Sequence, residues 1–156
     1  MDRIVRLYDL LKIDTQLDRL KKAGINIRRA MAYEKSIVTD WVYKNFSREW
    51  RDECSVAFSN SPISCFIATK ESKIIGFACY ESTCKNFFGP IGIDTSMREF
   101  GIGKVLLLSS LYAMLEMGYA YAIIGGGDGV ERFYESIGAI EIEGSEIGIY
   151  RDFLKE

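Results

Sequence analysis

The sequence contains no histidine, which excludes every mechanism and metal site that depends on an imidazole. Catalytic triads with a histidine base and zinc sites with histidine ligands are therefore ruled out. The four cysteines, Cys54, Cys65, Cys79 and Cys84, include no C-x-x-C pair, so neither a zinc site nor a thioredoxin-type motif is expected. We expect reduced thiols in or near the core and no bound metal.

Long apolar runs are also missing, because none approaches the roughly 18 residues of a membrane span. The first residues carry charges at Asp2, Arg3, Arg6 and Asp9, so they lack the apolar core of a signal peptide. The formal net charge of -2 gives no electrostatic reason to expect a nucleic acid or an anionic membrane as a partner. The sequence therefore predicts a cytoplasmic protein with neither of these partners.

The chain has 156 residues, of which 48% are hydrophobic and 27% charged. This is the composition of a globular protein, and the length is enough for one good hydrophobic core. There is no repeat, low-complexity tract or linker, so we expect a single domain overall.

Helical signals dominate the first half of the chain. The apolar spacing over residues 3–11 predicts a helix, and a second short helix is expected from a Thr15–Asp18 capping box to a stop at Gly24. Alternation in "INIRRA" predicts a first strand. Two more helices follow, one over residues 33–45 and one capped by Ser47.

In the second half of the chain the spacing of apolar residues changes from a helical to a strand-like pattern. Three strands, "SCFIAT", "IIGFACY" and "FFGPIGI", are expected to form a meander, followed by the apolar helix "KVLLLSSLYAMLEM". The strand "YAYAII", the short helix "VERFYESI" and the closing strands "AIEIEG" and "IGIYRDF" complete the chain. This order predicts a mixed α/β layer fold with one central sheet.

The turn Arg98-x-x-Gly101-x-Gly103 lies between an apolar strand and a helix, where backbone N–H groups and the helix dipole favour an anion. A Walker loop is excluded because Val105 stands where serine or threonine is needed. A dinucleotide fingerprint is excluded because Leu106 occupies the position of its third glycine.

The same turn resembles the pyrophosphate loop Q/R-x-x-G-x-G/A of the GNAT acyltransferase superfamily. "FFGPIGIDTSMREFGIGKVLLL" is similar to that family's strand, loop and helix, and "FYESIGA" is similar to its Y-x-x-x-G element. The resemblance covers roughly residues 25–152. It implies a central mixed, mostly antiparallel, twisted sheet with helices on both faces. Residues 1–24 would then be an N-terminal helical extension and residues 25–156 the GNAT-like domain.

The resemblance implies acetyl-CoA as the co-substrate, with its pyrophosphate on the loop. The loop residues expected to bind it are Arg98, Glu99, Phe100, Gly101, Ile102, Gly103 and Lys104. Pro90 would interrupt a central strand, which is tolerable if the sheet opens there. The family's opening would expose main-chain groups of Ile91 and Ile93 to the pantetheine arm. An ordinary bulge beside Gly89 and Gly92 is the alternative.

Tyr134, in "FYESIGA", matches the family's tyrosine that faces the thioester sulfur, so the resemblance implies a general acid; a core aromatic is the alternative. The general base is not visible in the strand before the loop. Glu81 is the nearest carboxylate and our prediction for the base, with Asp52 and Glu53 as further candidates. Many family members have asparagine where this chain has Gly127, which puts that one cofactor contact in doubt.

The acceptor pocket is expected between the early helices and the adjoining strands. Trp41, Trp50 and Tyr80 could line it, although aromatics at helical spacing more often belong to a core. The acceptor itself stays open: a small-molecule or peptide amine.

These residues predict an acetyl-CoA-dependent N-acetyltransferase that acts by direct attack of a primary amine in a ternary complex. The alternative is a non-catalytic acyl-CoA sensor or accessory domain, which the missing base keeps open. A nucleotide-binding protein that uses "GGGDG" is a third alternative. Self-association as a homodimer is a further expectation.

Overall fold

The computed structural model describes residues 1–155, which form a seven-stranded sheet with helices on both faces. The strands are β1 (Arg3–Arg6), β2 (Ile25–Arg29), β3 (Cys65–Lys70), β4 (Lys73–Tyr80), β5 (Phe87–Ile93), β6 (Tyr121–Ile124) and β7 (Ile140–Glu141). The helices are α1 (Asp14–Lys22), α2 (Lys35–Asn45), α3 (Arg48–Ser59), α4 (Ile102–Glu116) and α5 (Glu131–Glu135).

The strands follow the order β2-β3-β4-β5-β6-β1-β7 across the sheet. Neighbouring strands are antiparallel except β5 and β6, which are parallel. The predicted fold class, a mixed and mostly antiparallel sheet in an α/β arrangement, is therefore confirmed.

Two hydrophobic cores lie on opposite faces of the sheet. On one face α4 packs against β3, β4 and β5, and Leu106, Leu107 and Leu111 of this helix are fully buried. On the other face α2 and α3 enclose Val42 and Phe77. Burial of α4 explains its almost uniformly apolar sequence. Even so, none of the helices within residues 1–155 has the length and apolar content to cross a membrane.

The helix boundaries test the predicted capping residues. Ser47 is the N-cap of α3, since its side chain accepts a hydrogen bond from the Trp50 amide at 3.2 Å, as predicted. Gly24 ends α1 with a φ of 80°, also as predicted. The Thr15–Asp18 capping box is wrong, because α1 begins at Asp14 and is preceded by Ile13 without a side-chain cap.

The helix predicted over residues 3–11 is also wrong. Residues 3–6 form β1, which lies between β6 and β7 in the central sheet. The burial alternates with a period of two, because Arg3, Val5 and Leu7 point inward. Leu11, which completes the apparent helical spacing, is 46% exposed.

The second closing strand, "IGIYRDF", is wrong as well, because residues 147–153 form turns. Gly148 has a φ of 56°, and a β-carbon added there would lie 2.9 Å from a carboxylate oxygen of Asp2. The Tyr150 amide donates to the Ile147 carbonyl at 3.1 Å, which closes a turn. This turn brings Tyr150 to the site described next.

Candidate active site

A cavity of about 800 Å³ opens where β5 and β6 separate. Such a volume is in the range of small-molecule sites. Its walls come from α3, β5, the start of α4, the loop after β6, α5 and the C-terminal turn. Every region that the sequence singled out for cofactor binding therefore contributes at least one residue to this cavity.

The separation of β5 and β6 is abrupt. Their pairing consists of Phe87 with Ile123 and Phe88 with Ile124, and β5 then continues to Ile93 without a partner on this side within residues 1–155. Pro90 lies where the pairing stops, and the register against β4 also shifts opposite this point. The opening and the bulge, which the sequence offered as alternatives, are both present.

The free edge of β5 exposes main-chain groups. The Asp94 amide donates to the Ile75 carbonyl of β4 at 2.8 Å. Because successive residues of a strand direct their backbone groups to alternate sides, those of Ile93 and Ile91 face away from β4, toward the opening. Both residues line the cavity.

The glycine turn follows the C-terminal end of this free edge. Gly101, with a φ of 73°, precedes the first residue of α4. Arg98, Gly101, Gly103 and Lys104 line the cavity. Glycine adopts this left-handed backbone conformation at little energetic cost. The amides in the first turn of α4 have no hydrogen-bond partner within the helix.

The other three loop residues do not line the cavity. Ile102 is fully buried in the core below the turn, and Glu99 is exposed. Phe100 is 41% exposed and contacts Lys70, whose ammonium lies 5.9 Å from the ring centroid. Side-chain contacts from the loop to a ligand would therefore come from Arg98 and Lys104.

Tyr134 is buried, 6% exposed, and lines the cavity. Burial raises the pKa of its phenol to about 12, although the nearby Arg3 guanidinium acts in the opposite direction. The hydroxyl therefore stays protonated at neutral pH and can donate a proton or a hydrogen bond.

Glu81, the predicted base, does not line the cavity. Its Oε1 accepts a hydrogen bond from the Asn86 amide at 2.5 Å, and its Oε2 lies 3.3 Å from the Lys85 ammonium. The carboxylate thus supports the turn between β4 and β5. A catalytic role for Glu81 remains a prediction that this position does not favour.

Glu53 of α3 does line the cavity, while its neighbour Asp52 pairs with Arg51 at 2.9 Å. The Thr83 hydroxyl donates to Glu53 Oε1 at 2.6 Å. Burial raises the pKa of the Glu53 carboxyl, and the Thr83 hydrogen bond partly opposes this shift. A half-buried carboxylate with a raised pKa is the profile of a general base.

Of the three aromatics that the sequence offered either for the acceptor pocket or for the core, one lines the cavity and two lie in the core. Trp50 lines the cavity, but Trp41 packs in the core beside Phe77, and Tyr80 is fully buried with its hydroxyl bound to Arg29. The sequence did not indicate Tyr150, which was expected only to belong to a closing strand.

The structure leaves no space for a side chain at residue 127, where many members of the family have asparagine and this chain has glycine. A β-carbon added there would lie 2.9 Å from Cε2 of Tyr134 and 3.3 Å from a guanidinium nitrogen of Arg3. Arg3 is 1% exposed and donates to the Gly126 carbonyl at 3.0 Å and to Glu141 Oε1 at 2.9 Å. Arg3 and Tyr134 thus fill the space that a side chain at residue 127 would need.

The cysteines divide into two groups. Cys54, Cys65 and Cys79 are fully buried below α3, with their Sγ atoms within 4.8 Å of one another, and Cys84 is partly exposed. Burial raises the pKa of the Cys79 thiol well above its ordinary value. The hydrogen bonds from Cys65 and Cys79 lower the pKa of the Cys54 thiol to about 5. All three thiols lie in the core, as the sequence predicted.

Comparison with known proteins identifies the fold. No protein-family model and no curated protein matches the sequence. Among solved structures, the GCN5-related glucosamine N-acetyltransferase region of a fungal multi-domain GH3 beta-N-acetylglucosaminidase matches with a TM-score of 0.71 and 15% identity, covering 89% of this chain and 19% of that one. A GCN5-related N-acetyltransferase from Sphaerobacter thermophilus matches with a TM-score of 0.61 and 14% identity, covering 89% of this chain and 47% of that one.

A third match is an aminoglycoside acetyltransferase from an uncultured soil metagenomic sample, solved with sisomicin. Its TM-score is 0.54 at 19% identity, covering 78% of this chain and 93% of that one. The chain spans about a fifth of the length of the fungal protein and about half of the Sphaerobacter protein. These likenesses show that the chain has the fold of the GCN5-related N-acetyltransferases, as the sequence resemblance implied.

Proposed function

We propose that the chain is an acetyl-CoA-dependent N-acetyltransferase that acetylates a primary amine by direct attack in a ternary complex. The observation that carries this proposal is one cavity in which the free edge of β5, the glycine turn before α4 and the buried Tyr134 meet. The fold shared with N-acetyltransferases supports it. The aminoglycoside acetyltransferase solved with sisomicin supports a small-molecule amine as the acceptor.

The residues present fit coenzyme A. Main-chain groups of Ile91 and Ile93 face the opening and would pair with the amides of the pantetheine arm. Arg98 and Lys104 line the same cavity as the turn and would neutralise a diphosphate there, next to the first-turn amides of α4. Gly101 places no side chain of its own at these amides, and the Arg19 guanidinium lies 3.1 Å from the position its β-carbon would take. When bound, acetyl-CoA supplies the acyl group as a thioester.

The acceptor amine must lose a proton before it can attack. An alkylamine with a pKa of ~10.4 is neutral in only roughly 1 molecule in 10³ at pH 7, which corresponds to about 4–5 kcal/mol. Glu53 is the carboxylate that the cavity offers for this proton, directly or through one water molecule. Its raised pKa improves it as a base relative to an exposed glutamate.

Tyr134 would act at the leaving sulfur. A thiolate with a pKa of ~8.5 gains from protonation, and a positioned donor is worth about 10²-fold or more. Since the pKa of Tyr134 is raised to about 12, its proton is present at every pH at which the amine reaction is practical.

The alternative, a non-catalytic acyl-CoA sensor, rested on the missing base. Glu53 removes that argument because a carboxylate now lines the cavity beside the free strand edge. The sensor is therefore the less favoured hypothesis.

The test of the proposal is a calorimetric titration of the cofactor-free protein with acetyl-CoA, with NADH and ATP as controls. We expect saturable micromolar binding of acetyl-CoA alone. The double variant Arg98→Ala/Lys104→Ala should weaken it, whereas Lys73→Ala, an exposed lysine away from the cavity, should not. A lack of heat from acetyl-CoA, or a preference for NADH, would refute the proposal.

A further inference from the structure

The cavity has two electrostatically different ends. Arg98 and Lys104 lie near Ile93, where β5 ends and α4 begins. Glu53 lies toward the other end, where the hydroxyl of Thr83, in the turn that precedes β5, donates to it. Six residue steps of β5 separate Phe87 from Ile93, which is about 20 Å at ~3.3 Å per residue. An anionic ligand at one end and a cationic ligand at the other would fit this distribution.

Glu53 is the carboxylate free to receive that cation. Among the cavity residues that the structure describes, the other carboxylate is Asp128, which is exposed and lies 3.3 Å from the N-terminal ammonium. No ion pair within residues 1–155 involves Glu53, and its polar partner is the neutral Thr83 hydroxyl. The site therefore offers one unneutralised, half-buried negative charge.

The surroundings of Glu53 are aromatic. Trp50 lies one helical turn before Glu53 on α3, and burial together with the nearby Glu53 carboxylate raises the pKa of the Tyr150 phenol. The ring centroids of Phe46 and Trp50 are 5.2 Å apart, and the tip of the Phe46 ring contacts Gly92 of β5. A β-carbon added at Gly125 would lie 3.2 Å from the Phe87 ring and 3.3 Å from the Tyr150 hydroxyl. Phe87 and Tyr150 therefore lie close together beside Gly125.

This combination selects among amines. A single ammonium meets Glu53 and the negative faces of the rings, which also attract a cation. The remainder of the molecule meets apolar ring surface, which suits a flat apolar group. A second or third ammonium would be moved out of water against that surface without an anionic partner, which is unfavourable.

We propose that the acceptor is a monoamine with an aromatic or similarly flat apolar body, bound with its amino group at Glu53 and its body against Trp50, Phe87 and Tyr150. The proposal rests on the function proposed above and names the acceptor class of that same site. Polyamines and amino sugars, which carry several ammonium or hydroxyl groups, are excluded as preferred acceptors.

The test compares initial rates of acetyl transfer from acetyl-CoA to phenylethylamine, tryptamine, spermidine and glucosamine. We expect kcat/KM for the two arylalkylamines to exceed the others by at least about 10²-fold. Trp50→Leu should raise KM for the arylalkylamines roughly tenfold. Tyr43→Leu, an exposed aromatic outside the cavity, is the matched control and should leave the rates unchanged.

Calorimetry with the coenzyme A-loaded protein keeps the test independent of turnover, and thermal unfolding checks that Trp50→Leu is folded. Glu53→Gln, which is isosteric, should weaken arylalkylamine binding and leave acetyl-CoA binding intact. Preferred binding of spermidine or glucosamine, or no binding of either arylalkylamine to the loaded protein, would overturn the acceptor class alone. Failure of acetyl-CoA itself to bind would overturn the proposed function together with it.

Discussion

The ring of Phe46 lies directly on Gly92, so that a β-carbon added to this glycine would stand 2.6 Å from Cε2 of the ring. Gly92 belongs to β5, and Phe46 follows α2 and packs on Trp50 and Phe77. The contact fixes the depth at which the early helices sit on the strand that forms one wall of the cavity. A glycine in a central strand is explained here by close approach of a ring.

Gly92→Ala should therefore destabilise the fold. The added methyl group forces Phe46 off its position, and overpacking of this kind costs about 1–3 kcal/mol. Thermal or urea unfolding measures the loss, and Gly92→Ala/Phe46→Leu should recover part of it, because the smaller side chain yields space. Gly103→Ala, where the added carbon has ordinary contacts of 3.5 Å, is the stability control. An unchanged midpoint for Gly92→Ala would refute the argument.

The sequence predicts the cofactor side of the site because its signals are local. Arg98, Gly101 and Gly103 are close together in the chain, and a glycine turn between a strand and an apolar helix has few structural solutions. The uniformly apolar run of α4 and the short apolar runs of β3 and β4 are likewise readable from short windows. These elements form as predicted.

The parts that the sequence did not predict depend on distant partners. β1 exists because Arg3 pairs with Ile124, more than a hundred residues away, and its inward arginine breaks the apolar pattern of a strand. In the sequence, Glu53 was one of several candidates for the general base, and only the fold places it on α3 beside Thr83. Glu81 was preferred because it is close to a strand in the sequence. Tyr150 reaches the cavity by a turn at Gly148 that contacts Asp2.

An asparagine side chain in place of Gly127 should impair the site. It would need the space held by Tyr134 and Arg3, and the φ of 87° at this position adds backbone strain for any residue other than glycine. We expect Gly127→Asn to lose about 1–3 kcal/mol of stability and to lower kcat. Gly126→Asn is the matched control, since its φ of 69° carries similar strain with nothing within 4 Å of an added carbon. Equal effects of both variants would mean that backbone strain alone is responsible.

The pH profile of kcat/KM should report Glu53. Its carboxylate is the reactive form, so the rate rises as pH increases through a pKa that burial holds above the ordinary value of 4.5. Thr83→Val removes the hydrogen bond that lowers this pKa, so the rise should move to higher pH. The phenol of Tyr150 also faces Glu53 and stays neutral there, because burial raises its pKa. Glu53→Gln should leave only the slope caused by deprotonation of the amine. Identical profiles for the wild type and Thr83→Val would exclude Glu53 as the base.

The raised pKa of Glu53 also affects stability: the rate should rise with pH, whereas the free energy of unfolding should fall. A carboxyl group that binds its proton more tightly in the folded state than in the unfolded state favours folding below the unfolded pKa. This contribution is lost as pH rises through the folded pKa, so the free energy of unfolding should fall there. Urea unfolding of the wild type and Glu53→Gln across this pH range measures the difference, and the variant should lack this fall.

Tyr134→Phe separates an enzyme from a sensor. The substitution removes the hydroxyl and keeps the ring that packs on Gly127 and Phe133, so folding and acetyl-CoA affinity should be preserved. If the phenol protonates the leaving sulfur, kcat falls about 10²-fold or more, since its pKa of about 12 keeps the proton available throughout the neutral range. Tyr121→Phe, on the exposed side of β6, is the matched control and should retain full activity.

Unchanged turnover in Tyr134→Phe would assign the proton to another donor. Acetyl-CoA binding without turnover of any amine in the wild type would instead favour the sensor.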